Sequence, residues 1–279
     1  MSYAFRIVNV FAQSPLAGNP LCVFENGEGL SSETMQALAL QFNLSETTFV
    51  LPSERASAHV RIFTPGFEMP FAGHPTLGTA CVVSALRGVD PVVLEMKAGL
   101  VTVMRSGDAW TLRTAKPPAT RTVAATRVEI ARMLALPDDA VTGEPLWVST
   151  GVEQLVIPLA SAELVRRAQP VPALIEQHGY SETRDEAMAY VFAPDGAGLL
   201  VRFFFTQHGA IIEDPATGSA CANLGGWMLA TGREPPFAAT LSQGTAVGRP
   251  SRLDLRVDED RSIYVSGRVV ELGAGTVEL

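Results

Sequence analysis

Cysteine is scarce in this 279-residue sequence, and the little there is makes no pattern. Its three thiols, Cys22, Cys81 and Cys221, form no CxxC pair and have no histidine at ligand spacing, so neither a zinc site nor a disulfide framework is expected. Each sits in apolar surroundings and reads as a reduced core thiol of a cytoplasmic protein. Long apolar runs are missing too. No stretch approaches the roughly 18 to 20 residues that would span a bilayer, and the first residues lack the basic start, apolar centre and small-residue cleavage site of a secretory signal. Arginines and lysines form no cluster in a chain of formal net charge −8, which argues against nucleic acid or an anionic membrane as a partner.

What is present is a globular composition, 47% hydrophobic and 18% charged, long enough for one large domain or two of ordinary size. Runs rich in Val, Ile and Phe predict strands at Phe5–Val10, Leu21–Phe24, Thr47–Leu51, His59–Phe63, Val92–Met96, Leu100–Met104 and Trp110–Arg113. Further strands are predicted at Trp147–Thr150, Leu155–Leu159, Ala187–Phe192, Leu199–Phe205, Leu253–Val257, Ile263–Val265 and Arg268–Leu272. Helical spacing marks Ser32–Phe42, Pro75–Leu86, Arg127–Leu136 and Gly218–Ala230. The excess of strands over helices predicts an α+β fold. The Pro-rich, polar stretch Lys116–Thr122 suggests two halves, 1–120 and 121–279, with the last strand free to return to the first.

The chain also repeats itself. Val60-Arg61-Ile62-Phe63-Thr64 leads into Pro75-Thr76-Leu77-Gly78-Thr79-Ala80, and Val201-Arg202-Phe203-Phe204-Phe205-Thr206 leads into Pro215-Ala216-Thr217-Gly218-Ser219-Ala220. The spacing between copies is close to half the chain, as a duplicated strand–loop–helix unit requires. A weaker echo pairs Gly18–Val23 with Gly151–Val156. Each copy opens a helix with Pro, Thr, Ser and Gly, residues suited to a first turn or a cap. A helix mouth carries free N–H groups and about half a positive charge, which suits an anion such as a substrate carboxylate. Gly78 and Gly218 would permit close approach of a ligand or backbone. One such mouth alone reads better as a capped core helix than as a site. Two of them, each preceded by an ionisable residue held extended ahead of a proline, His74 and Asp214, favour a site. Glu46 stands where helix Ser32–Phe42 gives way to a strand, and locally it reads as a solvated turn carboxylate.

Together, Val10–Pro20, Asn43–Thr47, Ala72–Ala80 and Glu213–Ala220 resemble the PhzF-like family, whose fold is that of diaminopimelate epimerase. The resemblance implies two pseudo-symmetric domains, each an antiparallel barrel-like sheet around a central helix, with the active site in the cleft between them. It implies no metal, nucleotide or flavin cofactor, a small carboxylated substrate, and is compatible with a homodimer. Glu46 then matches the main acid/base, while His74 and Asp214 match the groups that orient the substrate. Asn19, Ser45, Gly73, Gly218 and Ser219 match positions around it. The family's best-understood substrate is a dihydro-hydroxyanthranilate.

Epimerase relatives use a cysteine at each helix mouth, and here both mouths lack one. That disfavours cysteine-based epimerisation or racemisation and favours a carboxylate base. A binding protein without activity is the other alternative. A dry site would raise the proton affinity of Glu46, whereas a helix mouth would keep Asp214 ionised. The segments Thr206–Ile212 and Thr142–Gly151 are expected on the specificity side.

Overall fold

The computed structural model describes residues 1–207 and 209–279 and forms two compact units, Met1–Arg113 with Ser266–Leu279, and Thr114–Val265. His208, within the expected specificity segment, lies outside the described residues. No helix among the described residues is long and apolar enough to cross a membrane.

In the first unit, strand Ser2–Val10 pairs antiparallel with Asn19–Phe24, which runs parallel to Glu46–Leu51. Glu46–Leu51 pairs antiparallel with Ala58–Phe63, which runs parallel to Val92–Met96. Gly99–Ser106 and Ala109–Arg113 follow as antiparallel neighbours. The C-terminal strand Ile263–Glu278 then joins Ala109–Arg113 to Ser2–Val10 and closes an eight-stranded barrel. The sheet is therefore mixed where the expectation was antiparallel. Each parallel pair has a helix between its strands, Ser32–Phe42 for one and Gly73–Arg87 for the other, because parallel neighbours need a crossover.

The second unit repeats this order. Ala119–Thr122, Leu146–Ser149 and Glu153–Pro158 pair antiparallel, and Glu153–Pro158 runs parallel to Glu186–Asp195 across the short helices Ala162–Arg167 and Pro172–His178. Glu186–Asp195 pairs antiparallel with Gly198–Gln207, which runs parallel to Phe237–Gln243 across helix Gly218–Ala230. Ser251–Val257 completes the run. Asn19–Phe24 and Glu153–Pro158 thus hold equivalent places in the two topologies, which explains the weaker sequence echo.

The repeat extends to side chains. Arg61 reaches Glu68 with two hydrogen bonds of 2.8 and 2.9 Å and lies over the Phe63 ring. Arg202 reaches Glu213 at 3.0 and 2.7 Å and lies over Phe204. Each forked pair clasps the hairpin that delivers the chain to a central helix.

Several elements differ from expectation. The helix beginning at Arg127 ends at Met133, because Ala135 turns left-handed (φ 53°). The two C-terminal strands are one. Ala210–Asp214, read as loop, is a strand because it folds back on Gly198–Gln207.

Gly78 serves packing. A Cβ there would lie 2.6 Å from Leu21 Cδ2 and 2.9 Å from Val10 Cγ2, so the absent side chain lets the central helix seat against Ser2–Val10 and Asn19–Phe24. Gly78→Ala should lose about 1 to 3 kcal/mol in urea unfolding, despite alanine's better helix propensity.

Candidate active site

Three sequence-distant segments meet in the first unit. Ser31 Oγ caps helix Ser32–Phe42 by accepting from Thr34 N–H at 3.2 Å, and Asn43, left-handed at φ 50°, ends it. The chain then enters strand Glu46–Leu51 through exposed Ser45, with Glu46 in register with Leu21. That register sets Glu46 level with Leu21, one residue past Pro20 and two past Asn19 in the parallel neighbour. Asn19 is fully buried.

His74 enters from the central helix. It lies in the first helical turn, a correction to the extended conformation expected ahead of Pro75. The first turn has no acceptor for its N–H groups, so Pro75 fits there without costing a bond. Buried Gly73 precedes it, and the N-cap, Ala72, offers no side-chain hydrogen bond.

His74 Nε2 lies 3.3 Å from Glu46 Oε2, with side-chain exposures of 6% and 15%. Burial pulls the imidazole down to about 3, opposed by a hydrogen bond to the backbone of Pro20. Proline has no N–H, so its carbonyl accepts and the histidine donates. Nε2 makes no such bond, which assigns the donation to Nδ1. A neutral ring protonated at Nδ1 turns a lone pair at Nε2 toward the Glu46 carboxyl.

In the second unit, Asp214 ends strand Ala210–Asp214, extended ahead of Pro215 as expected. Thr217 is the N-cap of helix Gly218–Ala230, but its hydroxyl does not cap the helix and is hydrogen-bonded to Asp214 Oδ2 instead. Gln243, buried at the end of its strand, fixes this arrangement. Its oxygen accepts Thr217 N–H at 3.2 Å, while its amide nitrogen donates to Asp214 carbonyl at 2.9 Å and Thr217 Oγ1 at 3.0 Å. Since Thr217 Oγ1 accepts from Gln243, its proton goes to the Asp214 carboxylate, an arrangement that favours the ionised form. Gly218 is buried, and Ser219 is half-buried and accepts from Gln154 Nε2 at 2.9 Å.

Gln154, Asn223 and Gln243 were not singled out in the sequence. Their signal was there: an amide inside an apolar strand or helix, where burial demands partners. Burial raises the thiols of Cys22 and Cys221, as expected of core residues. Cys81 departs from that reading: it is only half-buried, close to Trp110 and Arg105. Among the described residues, no group of three or more His, Cys, Asp or Glu could hold a metal ion.

The family model described as phenazine biosynthesis-like protein matches residues 8–275. An uncharacterized isomerase of Pasteurella multocida (strain Pm70) is 38% identical, with 98% of this chain and 93% of the relative covered. The trans-2,3-dihydro-3-hydroxyanthranilate isomerase of Pseudomonas chlororaphis is 34% identical, with 99% of each covered. Among solved structures, a phenazine biosynthesis protein of the PhzF family from Bacillus anthracis has a TM-score of 0.88 over 100% of both chains at 24% identity, a likeness of fold. With most of its length matched by both the family model and these relatives, this chain belongs to the phenazine biosynthesis-like (PhzF) family of isomerases.

Proposed function

We propose that the reaction is a proton shift within a small, cyclic, carboxylated amino-acid-like substrate, carried by Glu46 without a cofactor. The observation that carries this reading is the contact between Glu46 Oε2 and His74 Nε2. Because Nδ1 is engaged with Pro20, a neutral imidazole offers Nε2 only as an acceptor. An acceptor facing the carboxyl favours its protonated form. The carboxyl can give that proton to one carbon of the substrate and, as the carboxylate, take one from another. His74 then positions the carboxyl and leaves the proton transfer to it. Asp214, held ionised through Thr217 and Gln243, and Ser219 are assigned to placing the substrate's polar groups.

The substrate named for the Pseudomonas chlororaphis relative, trans-2,3-dihydro-3-hydroxyanthranilate, is the first to test. In heavy water, the proposal requires deuterium incorporation together with a double-bond shift, seen by mass and ultraviolet spectra. Deuterium entry with inversion at carbon and no double-bond shift would instead mark an epimerase. Ligand-dependent melting without exchange would mark a binding protein.

A further inference from the structure

We propose that Gln154 and Asn223 are positioning residues that fix the direction in which the Ser219 hydroxyl donates, making this helix mouth selective for an acceptor such as a carboxylate. The inference rests on reading Ser219 as a substrate-contacting residue.

The polarity begins at the backbone. Thr150 N–H can only donate, and it meets Asn223 Oδ1 at 2.8 Å, where Thr150 Oγ1 also donates at 2.8 Å. The amide nitrogen of Asn223 therefore faces the carbonyls of Val148 and Val152, each at 2.8 Å, and Gln154 Oε1. With its oxygen taken by Asn223, Gln154 must present its nitrogen to Ser219 Oγ, 2.9 Å away. The hydroxyl accepts there, which leaves its own proton to be donated outward.

Neither amide can relax by turning to solvent, since Asn223 is 0% and Gln154 2% exposed. Flipping Asn223 would set its oxygen against the carbonyl oxygens of Val148 and Val152 and leave Thr150 N–H without an acceptor, and flipping Gln154 would set its amide nitrogen against that of Asn223. Asn223 alone already ties the loop after Leu146–Ser149 to the helix. Gln154 adds a link whose outward partner is a half-buried hydroxyl in the first helical turn, and there it serves orientation.

The test compares binding of 2-amino-3-hydroxybenzoate, an aromatic counterpart of the candidate substrate, with its carboxamide. Wild-type protein should prefer the carboxylate by about 10- to 100-fold, the range of a hydrogen bond to a charged acceptor. Gln154→Met, neutral and close in volume, should reduce that preference about three- to tenfold while leaving the urea midpoint near wild type. Gln154→Glu draws the Ser219 proton inward and should remove or invert the preference.

The deciding measurement is a double-mutant cycle on the preference ratio: with Ser219→Ala already in place, Gln154→Met should change nothing further. Independent effects of the two changes would overturn the role of Gln154 while leaving the site reading intact. Wild-type protein that ignores the carboxylate, or is indifferent to Ser219→Ala, would overturn both. A loss of affinity equal for the two ligands would show that Gln154 merely supports the fold.

Discussion

Glu46→Gln should reduce turnover of the substrate by about 10²- to 10⁴-fold, the usual contribution of a positioned acid or base. The substitution is nearly isosteric, and its amide N–H can still face His74 Nε2 across the 3.3 Å contact. The scaffold and the histidine should therefore be undisturbed, and only the exchangeable proton is lost. Steady-state kinetics with urea unfolding alongside provides the check. The kcat should fall while the unfolding free energy stays within about 1 kcal/mol of wild type, as for a substitution that leaves packing intact. Parental turnover in the purified variant would remove Glu46 from the mechanism.

The second large effect is on stability. In the folded protein burial holds His74 down to about 3, whereas an unfolded chain takes up a proton near the ordinary value of about 6.5. Below that point the unfolded state binds more protons than the folded one. Stability is therefore full above pH 6.5 and is lost progressively as the pH falls toward 3. Linkage puts the loss attributable to this one ring at about 2 kcal/mol by pH 5. Urea unfolding at pH 7 and pH 5, compared between wild type and His74→Gln, isolates it. The variant starts less stable but should show the shallower fall. Equal slopes would mean that the ring carries a proton in the native state.

How much of this was legible beforehand depended on whether local pattern or register decides the position. Helices Ser32–Phe42 and Gly218–Ala230 show in the spacing of apolar residues, and their bounds match. The twofold repeat shows because Arg61 and Arg202 do the same work in each copy. Glu46 is different. Nothing around it distinguishes it from a solvated turn residue, and its contact with His74 comes from pairing with Leu21 on a parallel strand, beyond the reach of local pattern. Strand Ala210–Asp214 was missed because its extended state depends on its hairpin partner. Asn223 and Gln154 carry a local mark, an amide inside an apolar element, but what each does appears only once its partners are located.

The closing strand of the first barrel has a consequence for biosynthesis. Residues 1–113 leave the ribosome with two unsatisfied edges, Ser2–Val10 and Ala109–Arg113, and the strand that seals both begins only at Ile263. The intervening unit, Thr114–Val265, is contiguous and can complete its own pairings first. The unit translated first is thus the last to finish, and while it waits its open edges are available to other nascent chains.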